Sequence, residues 1–236
     1  MYIFAHLFAG ALLGLGFWYL TNDRRAVPVC VIASVLPDVI DKSLGFLFPL
    51  ALGSGRTVFH SLLIVLVILL GTVILVRPGH RWLGLGMGAA CAILLHQVFD
   101  EMWFLPANWF YPLLGPFQGS MIPEYIGVYF WREITNPSEW MFLVASVAIF
   151  LESFRDMLPI PRASRTDTLQ AGVYSLVVAG LLITGLYLLV TGLTSTTTTF
   201  LTPLYHQEQT IVTGVLALCG AVIMRRETYA AARKQE

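Results

Sequence analysis

The sequence predicts an all-α protein, a polytopic transmembrane helical bundle of about seven spans. Three observations predict it. The 236 residues are 57% hydrophobic and only 12% charged, with a mean hydropathy of +0.74, whereas soluble domains carry roughly 25% charged residues. The apolar residues fall into runs, several of them close to the ~20 residues that cross a bilayer core. The basic residues are partitioned between alternate connections. With seven crossings, one side receives Arg24, Arg25, Arg77, Arg81, Arg155, Arg162, Arg165, Arg225, Arg226, Arg233 and Lys234, and the other only Lys42, Arg56 and Arg132. Basic loops stay in the cytoplasm, so the N-terminus is expected outside and the C-terminus inside.

The runs are taken in order. Residues 2–20 form the first span; they lack the basic start and small-residue cleavage site of a secretory signal and are expected to remain. Residues 26–41 form a short second span containing Pro28 and Pro37, expected to be kinked or partly re-entrant. The apolar stretch 44–52 is too short to cross and reads as interfacial. Spans 59–76 and 82–99 follow. The outer segment 101–138 carries Trp103, Trp109, Phe110, Tyr111, Phe117, Tyr125, Tyr129, Phe130 and Trp131, with Pro106, Pro112, Pro116 and Pro123 among them, a density of aromatics suited to the headgroup level. Span 139–154 leads into the basic linker 155–168, and spans 170–192 and 209–224 flank a Thr-rich outer loop at 194–199. Gly172, Gly180, Gly185 and Gly192 permit close packing in the last pair. Two regions result: 1–138, a motif-bearing core with its aromatic loop, and 139–236, accessory helices with a basic tail.

Against this apolar background stand His6, Asp38, Asp41, His60, His96 and Asp100. Each lies near the end of a run, and four successive crossings bring all six to the same side. Ionisable groups at membrane depth are costly and tend to be functional. His96 and Asp100 are four residues apart and share a helix face, so both can hold one ion. Asp38 and Asp41, at i and i+3, have the same capacity. Imidazole with carboxylate suits zinc, manganese or iron better than magnesium or calcium. Asp41, when not a ligand, is a candidate general base or a partner orienting a histidine. Arg56, four residues before His60, is a candidate phosphate clamp or an interfacial anchor. His206 and Glu208 share the outer side but sit by the Thr-rich loop, and His80 falls on the basic side. Cys30, Cys91 and Cys219 read as small core residues. The plainer account of the polar set is a hydrogen-bonded packing cluster that binds no metal. The outer acidic excess disfavours nucleic acid as a partner.

The ordered elements His6-x-x-x-Gly10, Pro37-Asp38-x-x-Asp41, Arg56-x-x-x-His60-Ser61, His96-x-x-x-Asp100 and Gly115-Pro116-Phe117 resemble the YdjM-like family of prokaryotic membrane-bound, metal-dependent hydrolases. The resemblance covers about residues 1–120. That family is in turn similar to zinc-dependent phospholipase C and the S1/P1 nucleases. The resemblance implies a divalent metal, zinc first, with Asp38, His60, His96 and Asp100 as ligands and His6 at a neighbouring ion or the substrate. The second aspartate follows the first by three residues where the family often has two, and no second His-x-x-x-Asp pair follows, so one or two ions are implied rather than three. It also implies a multi-pass protein of the prokaryotic inner membrane hydrolysing a phosphoester or lipid-like substrate. The competing expectations are a divalent-cation transporter using the same residues and a structural membrane protein.

Overall fold

In a computed structural model the described residues are 3–48, 52, 54–78, 80–119, 125–157, 164–196 and 207–233. Those residues are all-helical, with no strand among them. The helices are α1 (Ile3–Thr21), α2 (Ala26–Leu47), α3 (Leu62–Leu75), α4 (Arg81–Phe99), the single turn α5 (Pro106–Trp109), α6 (Tyr125–Ile134), α7 (Pro137–Ser153), α8 (Ser164–Thr194) and α9 (Gln207–Arg233). The stretches Ile3–Thr21, Trp82–Phe99, Ala171–Thr194 and Gln207–Arg226 are long and apolar enough to cross a membrane, and Leu62–Leu75 is a shorter apolar helix. The backbone divides into two compact units, residues 9–131 and residues 3–8 with 132–236.

In the first unit, α1 ends where Asn22 adopts a left-handed backbone. The side chain of Asp23 then accepts from the backbone N–H and guanidinium of Arg25, and its carbonyl accepts from Ala26 N, turning the chain into α2. Pro28 lies in the first turn of α2, where a missing N–H costs nothing. Pro37 lies inside the helix, yet α2 runs on to Leu47, absorbing the first part of the stretch read as interfacial. Gly10 lets α1 and α2 touch: a methyl there would come within 2.7 Å of the Cys30 carbonyl and would collide with the Ser34 side chain. Cys30, Ala33, Val65, Ala90, Ala92 and Ile93, from α2, α3 and α4, form an apolar core. The chain beyond α2 returns against that helix at Gly45, where a methyl would come within 2.6 Å of Ser54 O. It then makes a 3-10 turn at Val58–His60 before α3 begins.

The aromatic outer segment opens with a 3-10 turn at Met102–Phe104 and then α5. Phe104 and Leu113 are exposed, and Tyr111 stacks on Phe117 with ring centroids 4.1 Å apart. Residues 120–124 and the side chains of Tyr125, Tyr129 and Phe130 lie outside the described residues, as do His206, the central linker 158–163 and residues 197–199 of the Thr-rich run.

In the second unit, Asn136 caps α7 by accepting from Ser138 N and Ser138 Oγ, with Pro137 at the first helical position. Helices α8 and α9 cross closely, a methyl on Gly185 coming within 2.9 Å of Gly214 O.

Candidate metal centre

The functional side chains come from three consecutive pieces of the first unit. Helix α2 supplies Asp38 and Asp41, the returning loop and 3-10 turn supply Arg56, Thr57 and His60, and the end of α4 supplies His96 and Asp100. Asp38, His60, His96 and Asp100 are all buried and each offers one ligand atom, the four lying within 4.8 Å of one another. His60 Nε2 is 3.2 Å from His96 Nε2, 3.6 Å from Asp38 Oδ1 and 3.7 Å from Asp100 Oδ2. His96 Nε2 is 3.9 Å from Asp38 Oδ1.

The outward-turned nitrogens explain how the rings are held. His96 Nδ1 lies 2.7 Å from the carbonyl of Ser34, which can only accept, so Nδ1 carries the proton. His60 Nδ1 lies 2.8 Å from Asp41 Oδ2 and donates to that carboxylate. In the neutral tautomers so fixed, both Nε2 atoms turn lone pairs toward the same point, where carboxylate oxygens of Asp38 and Asp100 also converge. Neither oxygen of Asp38 makes a hydrogen bond. Lys42 Nζ approaches its Oδ2 to 2.6 Å as an ion pair, outside the angles of a hydrogen bond.

A metal ion fits this arrangement. Tetrahedral zinc with ligands at about 2.0–2.1 Å sets neighbouring donor atoms about 3.3 Å apart. The quoted separations run from 3.2 Å, just under that value, to 3.9 Å, and all four atoms lie within 4.8 Å of one another. Buried acceptor atoms facing one another repel unless a cation lies between them.

Asp41 stands behind His60. Its carboxylate accepts from Thr57 N at 2.8 Å, Thr57 Oγ1 at 2.8 Å, Phe59 N at 3.2 Å and His60 N at 3.0 Å, besides His60 Nδ1. Arg56 Nη2 pairs with Asp100 Oδ2 at 3.0 Å. His6 is buried in the first turns of α1 and does not belong to the four-residue group. It is grouped with the second unit, where its neighbour Ala5 donates to Glu139 Oε2 at 3.1 Å. Glu139 is buried there with Glu133 and Asn136. Glu208 is exposed.

Several supporting residues escaped sequence reasoning. Gln97 Nε2 donates to the carbonyls of Phe59 and Ser61 while its Oε1 accepts from Trp109 Nε1. Asn108 Nδ2 donates to the carbonyls of Arg56 and Gln118, and its Oδ1 accepts from Gln118 N. A polar side chain inside an apolar run was a signal for Gln97. Nothing in the sequence pattern marks Thr57 or Asn108.

The family model for YdjM inner membrane proteins matches residues 1–197. The chain belongs to the YdjM inner membrane protein family. No curated protein and no solved structure matches it. The YdjM match includes all four residues of the buried His/Asp group, which is therefore a feature of the family-matched part of the chain.

Proposed function

We propose that this YdjM-family protein is a membrane-embedded, metal-dependent hydrolase of a phosphoester or lipid-like substrate. Asp38, His60, His96 and Asp100 hold a divalent ion, zinc first and manganese or iron as alternatives. The observation that carries the reading is the convergence of two imidazole Nε2 atoms and two carboxylate oxygens, with both Nδ1 atoms already committed to acceptors behind them. An ion held there would supply Lewis acidity and a water acidified toward a pKa of ~7. The chain's own residues orient that chemistry. Asp41 and the Ser34 carbonyl fix the two rings in the ligating tautomer. Arg56, with a partly exposed side chain, pairs with Asp100 Oδ2.

Burial also supports an enzyme over a transporter. On α2, α3 and α4 the core of Cys30, Ala33, Val65, Ala90, Ala92 and Ile93 lies further along each helix, away from the ends that carry or adjoin the polar cluster. An ion bound at the cluster would meet a dry apolar layer rather than a polar path. The partition of basic residues supports an outward-facing site, an outer N-terminus, a cytoplasmic C-terminus and about seven crossings.

Elemental analysis of the detergent-purified protein, beside a His96→Ala/Asp100→Ala variant, tests the metal reading. We expect one zinc, manganese or iron ion per chain, lost in the variant. Absence of metal from both, after divalent ions have been supplied, would leave a structural polar cluster as the better account.

A further inference from the structure

The substrate class can be narrowed from the charges that rim the centre. Lys42 follows Asp38 by one helical turn on α2 and reaches its Oδ2 at 2.6 Å, and Arg56 reaches Asp100 Oδ2 at 3.0 Å. Each carboxylate of the ligand set thus has a cation against it. The two aspartates are 2% exposed, but the side chains of Lys42 and Arg56 are 28% and 37% exposed. The cations therefore stand at the boundary between the buried cluster and its surroundings, on two different chain segments.

Charge balance gives this rim a consequence. A divalent ion is neutralised by Asp38 and Asp100. Asp41 is engaged by His60 and by the loop N–H groups. Lys42 and Arg56 then stand beside the neutralised ion as two cationic, partly exposed side chains that an anion can meet. The backbone that carries Arg56 is fixed in advance. Ser54 Oγ accepts from Arg56 N at 3.1 Å, and buried Asn108 donates to Arg56 O at 2.7 Å. A guanidinium held in place suits the oxygens of a phosphate, and a lysine beside it supplies a point charge.

We infer that Lys42 and Arg56 form an anion site beside the metal position that binds a phosphate group of the substrate. The site rests on the metal reading above and excludes neutral esters and amides as the preferred substrate class. A phosphate carries about −1.5 to −2 charges when terminal, which matches two cations beside a neutralised ion.

Calorimetric titration of the metal-loaded protein with inorganic phosphate tests this, with metal content measured on every sample. We expect saturable binding, weakened roughly tenfold in each of Lys42→Met and Arg56→Met, as for the loss of one charge-assisted contact. Lys42→Arg and Arg56→Lys should keep both the ion and most of the phosphate affinity, which separates charge from folding. Equal phosphate binding by the wild type and neutral variants, or none by the loaded wild type, overturns the anion site while leaving the metal intact. A wild type that holds no ion overturns the metal reading and this one with it. A parallel titration in nanodiscs compares phosphatidic acid with phosphatidylcholine. Preferential, Lys42- and Arg56-dependent binding of phosphatidic acid identifies a lipid headgroup. Binding of inorganic phosphate without that preference identifies a soluble phosphate compound.

Discussion

Asp41 shows how one residue can matter to a candidate metal centre without joining the four residues that could hold an ion. It gathers the N–H groups of Thr57, Phe59 and His60, the Thr57 hydroxyl and the His60 ring on a single carboxylate. An Asn at this position keeps one acceptor oxygen and replaces the other with an NH2 group facing donors. Asp41→Asn should therefore loosen both the 3-10 turn and the tautomer of His60, lowering divalent-metal affinity by about 10–100-fold. Competition with a chelator measures it; an unchanged affinity would mean that the ring is held by other contacts. The sequence offered Asp38 and Asp41 as two potential ligands one turn apart. It also offered the alternative that Asp41 orients a histidine, and spacing alone had no means to choose. What separates the pair is where the returning loop lies, a tertiary fact set partly by the close approach at Gly45.

At the scale of elements, the apolar runs were legible because length and hydropathy are local properties. Helices α1, α4, α8 and α9 sit close to the runs read for them. The course of α2 was less legible. Two prolines argued for a short span over 26–41, kinked or partly re-entrant, but Pro28 lies in the first turn and the helix continues through Pro37 to Leu47. The outer aromatic segment was the least legible part. Trp109 reads as an interfacial aromatic, yet its indole N–H is spent on Gln97. Gln97 thereby ties three elements together: α4, the turn before α3, and α5. Gln97→Leu keeps similar bulk while removing the side-chain bonds to the Phe59 and Ser61 carbonyls and leaving the Trp109 indole N–H without Gln97; Ser61 O retains Ile64 N. Each unmade buried hydrogen bond costs about 1–3 kcal/mol. We expect a clear drop in the thermal midpoint in detergent, together with faster metal loss to a chelator, since the freed loop carries His60. A variant as stable and as metal-retentive as the wild type would show that the tie is dispensable.

At the scale of the whole molecule, the question is how an irregular loop can lie among membrane spans. Non-helical backbone at membrane depth is tolerated only where protein satisfies its polar groups. The stretch 54–61 meets that condition. Asp41 takes the N–H groups of Thr57, Phe59 and His60, Ser54 takes that of Arg56, and Asn108 and Gln97 donate to the carbonyls of Arg56, Phe59 and Ser61. This also accounts for the brevity of α3, whose 14 residues rise only about 21 Å, short of the ~30 Å hydrocarbon core. We infer that the loop before it takes up the remaining depth. If so, the ends of the pair α3 and α4 nearest the His/Asp group share one face of the membrane, and the basic connection between the helices lies on the other. Exposed Leu114 and exposed Arg77 report on the two sides. In a background with Cys30, Cys91 and Cys219 replaced, Leu114→Cys should react with a membrane-impermeant maleimide in intact spheroplasts, and Arg77→Cys only after permeabilisation. The reverse pattern would invert the orientation while keeping the site on one face. Equal labelling of both would sink the crossing by α3 and α4, and with it the placement of the metal centre at a single membrane face.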